Sequence, residues 1–143
     1  MSASVLVIAD RADFANLIAR SLSGIGVRTL VATDVRHASR LLEREPAAVA
    51  VLDLALPNHY DAAAQWLRRD PARASMVVVR VSALVRNGCL PRGEVRADLY
   101  VPKPFAPRQL VDAVRSALVR HAARQRFALT PARAAVTVPA ALR

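Results

Sequence analysis

The chain has 143 residues, of which 54% are hydrophobic and 22% charged, with one cysteine and a formal net charge of +10. This length fits one domain with its own core. The sequence has no long apolar run and no signal sequence, which argues against membrane insertion and favours the cytoplasm. Cys89 has no partner cysteine, which argues against a disulfide scaffold and a zinc site. Twenty of the 21 basic residues are arginines spread along the chain with few aromatic residues between them, which disfavours a nucleic-acid partner.

Short apolar runs bounded by turn signals predict five buried strands, at residues 5–9, 27–32, 48–52, 75–81 and 99–101. Between them, apolar residues at helical spacing predict helices. Asp13, Asp34 and Asp61 are the expected N-caps, because a carboxylate there accepts from the free amides of the first turn. The helix after Asp61 should run to about Arg69, and a last helix should cover about residues 108–125.

The segment between the fourth and fifth predicted strands is poor helix material. It carries two glycines and a proline within six residues, 88–93. Proline removes a backbone donor, and an interior glycine costs roughly 1 kcal/mol. We therefore expect this fourth helix to be short or broken.

The alternation of strand and helix predicts an α/β fold, a five-stranded parallel sheet with helices on both faces. We expect residues 1–121 to form this domain and residues 122–143 to form a basic helical extension with a flexible tail. The arginines of the last helix are expected to form a solvated face.

Two carboxylates and the only lysine follow predicted strands. Asp10 comes after the first strand, Asp53 after the third and Lys103 after the fifth. Because the carboxyl ends of parallel strands share one edge, where ligands of such sheets bind, we expect Asp10 and Lys103 to lie around Asp53.

Four stretches, in this order, resemble the response regulator receiver domain, the phosphoacceptor module of two-component signalling. They are Val5-Leu6-Val7-Ile8-Ala9-Asp10, Val51-Leu52-Asp53-Leu54-Ala55-Leu56-Pro57, Val79-Arg80-Val81-Ser82-Ala83 and Tyr100-Val101-Pro102-Lys103-Pro104-Phe105. The resemblance covers about residues 4–121. It implies a flavodoxin-like (CheY-like) fold of three layers.

The resemblance implies that Asp53 is the phosphoacceptor. Asp10, Asp53 and the backbone carbonyl of Ala55 would hold Mg²⁺, and Lys103 would contact the phosphoryl oxygens. These residue types suit the chemistry, because Mg²⁺ prefers carboxylate, phosphate and water oxygens, and a compact ammonium is a good point charge for phosphate. Two neighbouring carboxylates would otherwise repel each other.

The resemblance also implies residues that report phosphorylation. Ser82 would hydrogen-bond the phosphoryl group and act as a switch together with Tyr100, which would turn inward. The amide of Ala83 would help to hold the phosphoryl group. A cis peptide is implied before Pro104.

Three departures from the family pattern keep a second hypothesis open. Ala9 stands where the family has an additional acidic residue, which should weaken Mg²⁺ binding. The charge of Arg11 could assist the phosphoryl group or compete with the metal. The turn at residues 58–62 is longer than usual and lacks a glycine. These departures, and the broken fourth helix, favour a pseudo-receiver that works as a phosphorylation-independent protein interaction module.

We therefore expect a receiver domain that takes its phosphoryl group from a sensor histidine kinase or a phosphotransfer protein and signals by protein–protein contact with a downstream target. It would have no DNA-binding output domain and would be no enzyme beyond autocatalytic phosphoryl transfer. A phosphatase that uses Asp53 as nucleophile is a third hypothesis, but haloacid-dehalogenase-type enzymes need a second Asp where Ala55 stands. Because the surface through which receivers often pair is atypical here, we expect a monomer or weak homodimer.

Overall fold

The computed structural model describes residues 3–83 and 95–129. Its sheet has five parallel strands in the order β2-β1-β3-β4-β5. They are β1 (Ser4–Ala9), β2 (Arg28–Ala32), β3 (Val49–Asp53), β4 (Val77–Ser82) and β5 (Leu99–Pro102). This is the flavodoxin-like strand order, so the predicted fold class is confirmed. The prediction of a short or broken fourth helix falls on residues 84–94, outside those described.

Five α-helices lie among the described residues, and none of them is long and apolar enough to cross a membrane. They are α1 (Ala12–Leu22), α2 (Val35–Arg44), α3 (Pro57–Arg69), the single turn α4 (Pro71–Ala74) and α5 (Pro107–Leu129). A 3₁₀ turn (Ser23–Ile25) follows α1 and ends at Gly26, whose φ of 77° is a left-handed conformation that suits glycine.

The sheet has a hydrophobic core on each face. Alternate residues of β1, β3 and β4 pack with α1 and α5 on one face, around Val7, Val51 and Val79. The residues between them pack with α2 and α3 on the other face, around Leu6 and Leu52. Every residue of β1, β3 and β4 is buried. The continuous apolar runs that predicted these strands reflect burial on both faces.

Two of the three predicted N-caps are wrong. Asp34 caps α2 and accepts from the His37 amide at 2.7 Å, as expected. Asp13 instead lies in the first turn of α1 and pairs with Arg11. Asp61 lies inside α3, which begins four residues earlier, at Pro57. Proline suits the first turn of a helix because it has no amide N–H, and amides of the first turn have no partner within the helix. The Asp61 carboxylate accepts from the Val95 amide at 2.9 Å and so ties α3 to the segment before β5.

Helix α5 is held to the sheet at the end opposite the strand carboxyl termini. Asp98, just before β5, accepts from the Val78 amide at 2.8 Å and pairs with Arg68 at 3.3 Å and with Arg124 at 2.7 Å. Arg124 also donates to the carbonyl of Met76. Arg124 is therefore partly exposed but bound to the sheet edge by Asp98 and Met76, which corrects the expectation that the arginines of this helix are only solvated. The helix continues past residue 121 to Leu129, in agreement with a helical extension after residue 121.

The charge network around Asp98 changes its titration. Burial by itself raises the pKa of the Asp98 carboxyl, but the Val78 hydrogen bond, the bond and charge of Arg124 and the charge of Arg68 outweigh that effect. The pKa of Asp98 therefore lies below its usual range, and its ionised form stabilises the fold.

Candidate functional site

The predicted site residues converge at the carboxyl edge of the sheet. Ala9 at the end of β1 is in register with Asp53 at the end of β3, and the Asp10 amide donates to the Asp53 carbonyl at 3.4 Å. On the other side of β3, Ser82 closes β4 and its carbonyl accepts from the Lys103 amide at 3.0 Å. Parallel pairing of β1, β3, β4 and β5 is therefore what brings these residues together.

Asp53 is a buried carboxylate with one cationic partner. Its residue is only 3% exposed, and its Oδ1 lies 2.6 Å from Nζ of Lys103. Its Oδ2 is buried and makes no hydrogen bond within residues 3–83 and 95–129. A buried carboxylate oxygen normally has a partner, so an unpartnered one points to a group that binds there.

Asp10 is the second carboxylate of the site and is exposed at the edge of the sheet. Its Oδ2 accepts from the Ala55 amide at 3.0 Å, which ties the turn after β3 to the turn after β1. Ala9, in contrast, is fully buried in the core between the sheet, α1 and α5. The position at which the family has another acid therefore contributes only packing.

These groups fit a divalent cation of the Mg²⁺ type. The carboxylates of Asp10 and Asp53 lie at one edge, Ala55 follows two residues after Asp53 and its amide is bound to Asp10, and hard oxygen donors are what Mg²⁺ takes. No cluster of three or more His, Cys, Asp or Glu side chains that could hold a metal occurs in the described ranges. A metal here would thus rely on two carboxylates, and water, phosphoryl or carbonyl oxygens would complete its shell.

The residues predicted to sense a phosphoryl group lie on β4, the strand next to Asp53, on β5 and in the turns that follow these strands. Ser82 is buried, Ala83 is exposed next to Lys103, and the Lys103–Pro104 peptide is cis as predicted. Tyr100 is half-buried, and its hydroxyl accepts from the Ala97 amide at 2.9 Å. The switch role of Ser82 and Tyr100 stays a prediction.

Two residues near this site have no counterpart in the sequence predictions. Arg80 is 1% exposed inside β4, in register with Tyr100, and its guanidinium lies 3.9 Å from the ring centroid of buried Tyr60. Burial lowers the pKa of Arg80 and raises that of Tyr60. In the sequence, the only sign of this contact is an arginine inside a run of valines, and that pattern predicts no more than an ordinary strand position.

An aromatic residue on α1 also contacts the site. The Phe14 ring lies 4.6 Å from Nζ of Lys103 and 4.9 Å from Cζ of Arg11, measured to the ring centroid. Arg11 pairs with Asp13 at 2.9 Å. Arg11 is thus engaged by two residues of α1, and whether its charge assists the phosphoryl group or competes with the metal stays a prediction.

Comparisons in sequence relate the chain to response regulators, although no family model matches it. It is 33% identical over 119 residues to a probable transcriptional regulator ycf27 of Porphyridium aerugineum, covering 81% of this chain and 48% of the relative. It is also 33% identical over 119 residues to the sensory transduction protein RegX3 of Mycobacterium bovis, covering 82% of this chain and 51% of the relative. The chain therefore spans about half the length of these relatives.

Comparison with solved structures gives the same fold. The receiver domain of the sensor histidine kinase PA1611 from Pseudomonas aeruginosa matches with a TM-score of 0.70 at 20% identity, over 82% of this chain and 98% of that domain. That structure is described as having a magnesium ion coordinated in its active site cleft. The predicted resemblance to receiver domains is confirmed.

Proposed function

We propose that this chain, a response regulator receiver domain of two-component signalling, accepts a phosphoryl group on Asp53. The observation that carries the proposal is the state of this carboxylate. It is buried, one oxygen is 2.6 Å from the Lys103 ammonium, and the other oxygen has no partner among the described residues. A carboxylate beside a cation, with one oxygen that has no partner among the described residues, is suited to nucleophilic attack.

In the proposed reaction, Oδ2 of Asp53 forms a bond to the phosphorus of the donor while the bond from phosphorus to the leaving group breaks. With a phosphohistidine donor, the imidazole nitrogen leaves with the electron pair. Negative charge spreads over the phosphoryl oxygens during transfer, and the Lys103 ammonium is placed to neutralise part of it. Ser82 and the amide of Ala83 would hold the transferred group.

We propose Mg²⁺ as the cofactor, held by Asp10, Asp53 and the carbonyl of Ala55. Mg²⁺ would supply charge neutralisation for the phosphoryl oxygens and for the two neighbouring carboxylates. With Ala9 buried in the core, one acid of the family pattern is absent. We therefore expect Mg²⁺ binding that is weak but sufficient for transfer.

The proposed partners are a histidine kinase or phosphotransfer protein as donor and a protein target as receiver of the signal, in the cytoplasm. The sequence relatives support this, as one is described as a sensory transduction protein. The activity proposed is phosphoryl acceptance with, at most, autocatalytic transfer. The state of assembly stays a prediction of a monomer or weak dimer, which sedimentation at two concentrations would test.

A phosphorylation-independent interaction module is the second candidate. The fully buried Ala9 favours it, because it leaves the metal with two carboxylates. In this alternative, Asp53 and Lys103 would form a structural ion pair, and partner binding would not depend on Mg²⁺ or on a phosphodonor.

The test is intact mass after incubation with a small phosphodonor, with and without Mg²⁺. The variants are wild type, Asp53→Asn and, as a control for the same chemical change on the exposed surface of α5, Asp112→Asn. We expect a Mg²⁺-dependent gain of one phosphoryl group in wild type and Asp112→Asn, and none in Asp53→Asn. No gain in wild type with any small donor, together with no Mg²⁺ binding in a titration, would overturn the proposal in favour of the interaction module.

A further inference from the structure

Phe14 is an aromatic residue of α1 that lies outside both hydrophobic cores. The residues that α1 buries are Ala15, Ile18 and Leu22, and Phe14 is half-exposed in the first turn. Its ring lines a cleft of about 420 Å³ together with Leu17, Ala83, Lys103, Pro104 and Phe105. Packing of the two cores therefore does not require an aromatic ring at this position.

The Phe14 ring contacts the cation of the site. Nζ of Lys103 lies 4.6 Å from the Phe14 centroid, within the distance at which a cation is attracted to an aromatic face. The same ammonium is 2.6 Å from Asp53, and its side chain is only 25% exposed. Phe14 therefore replaces water on one side of a cation that faces the acceptor carboxylate on another.

An aromatic ring holds an ammonium without taking up its hydrogen bonds. A carboxylate or carbonyl at the same place would accept one of the three donors of Lys103 and compete with the acceptor site. The face of Phe14 attracts the charge but offers no directed acceptor. The ammonium can thus pass from the Asp53 oxygen to a phosphoryl oxygen without losing its contact with the ring.

Arg11 shares the same ring but is engaged elsewhere. Its guanidinium lies 4.9 Å from the Phe14 centroid and pairs with Asp13 at 2.9 Å. Of the two cations on the ring, one is bound to a surface carboxylate and the other to the acceptor. Of these two cations, only Lys103 is therefore paired with the acceptor carboxylate.

We propose that Phe14 is a positioning residue for phosphoryl transfer, which holds the Lys103 ammonium at the acceptor carboxylate through its aromatic face. This inference rests on the proposed function, since it assigns Phe14 to the same acceptor site. It predicts that the aromatic face matters and that the volume of the side chain does not.

The test uses the fact that Lys103 is the only lysine in the chain. Protein labelled with ¹³C at lysine Cε shows one methylene signal, whose protons are shifted upfield by an aromatic ring beneath them. The signal is recorded for wild type, Phe14→Leu, Phe14→Tyr and Leu17→Ala, the last as a control in the same cleft without a cation contact. Phosphorylation rates with a small donor are measured for the same four proteins over a range of donor concentrations.

We expect the upfield shift in wild type, Phe14→Tyr and Leu17→Ala, and its loss in Phe14→Leu. The maximal phosphorylation rate of Phe14→Leu should fall about two- to tenfold, with little change in the donor concentration that gives half the rate. Phe14→Tyr should restore the rate.

Two results would overturn the inference alone. One is a wild-type rate in Phe14→Leu, and the other is a signal without an upfield shift in phosphorylated, active wild type. A wild type that accepts no phosphoryl group, with the upfield shift present, would instead overturn the proposed function and with it the role assigned to Phe14. If Phe14→Leu fails to fold, Phe14→Met replaces it, because it keeps an apolar side chain of similar length without a ring.

Discussion

Two aspartates at opposite ends of the sheet, Asp53 buried and Asp98 partly buried, differ in how many of their carboxylate oxygens have hydrogen-bond partners. Asp98 has a backbone amide and two arginines on its two oxygens, at 2.7 to 3.3 Å. Asp53 has the Lys103 ammonium on one oxygen, while the described residues leave the other without a partner. A carboxylate whose oxygens all accept hydrogen bonds from fixed donors stabilises the fold. A carboxylate with an unpartnered buried oxygen can instead bind another group there.

The largest effect that separates the two aspartates is on stability. Asp98→Asn should lower the free energy of unfolding by about 2–3 kcal/mol, because it leaves Arg68 and Arg124 without their charge partner. Asp53→Asn should change it by less than about 1 kcal/mol, since it breaks one ion pair but also removes repulsion from Asp10. Urea unfolding followed by the fluorescence of Trp66, the only tryptophan, measures both. An equal loss in the two variants would contradict the comparison.

A second prediction adds to the site the acid that the chain lacks. Ala9→Asp should raise the affinity for Mg²⁺ about tenfold, because a third carboxylate joins the edge at which Asp10 and Asp53 lie. Ala122→Asp on the exposed surface of α5 is the control for a general gain of negative charge. Calorimetric titration with Mg²⁺ gives both affinities. Equal affinities in the two variants would argue against a metal site at this edge.

A smaller effect is expected at the partner of Asp98 on α5. Arg124→Gln should cost about 1 kcal/mol of unfolding free energy, because Arg68 and the Val78 amide remain on the carboxylate and Arg124 is itself partly exposed. Arg115→Gln, at an exposed position of the same helix, should cost less than about 0.5 kcal/mol. If the two substitutions prove equally mild in urea, the Asp98 network does not hold α5 to the sheet.

The smallest predicted effect is a dependence on pH. The pKa of Asp98 is lowered in the folded chain, so its contribution to stability is present above the usual carboxyl pKa of about 4 and is lost as the pH falls through the lower folded value. Unfolding free energies measured between pH 6 and pH 3 should therefore fall less steeply in Asp98→Asn than in wild type. Parallel curves would show that Asp98 titrates alike in the folded and unfolded chain.

Much of the fold and of the site could be predicted because both depend on strand order. Apolar runs such as 5–9 and 48–52 are buried on both faces of the sheet, and such runs are visible in a sequence. Polar residues directly after them must then lie at one edge, so strand order alone predicts that Asp10, Asp53 and Lys103 lie together. The N-cap prediction for α3 is wrong because the Asp61 carboxylate can accept either from amides of its own helix or from another element. In the structure it accepts from the Val95 amide.

By itself, then, the sequence determined the parallel sheet, its carboxyl-edge residues and the likeness to receiver domains, since these follow from local periodicity and from residue order. Only the tertiary structure decided which charges meet across elements. It placed Arg124 on Asp98, Arg80 on Tyr60, and Phe14 beneath Lys103. The physical reason is that a charge on a helix or strand has many possible partners at similar sequence distance, and packing of the two cores selects one of them.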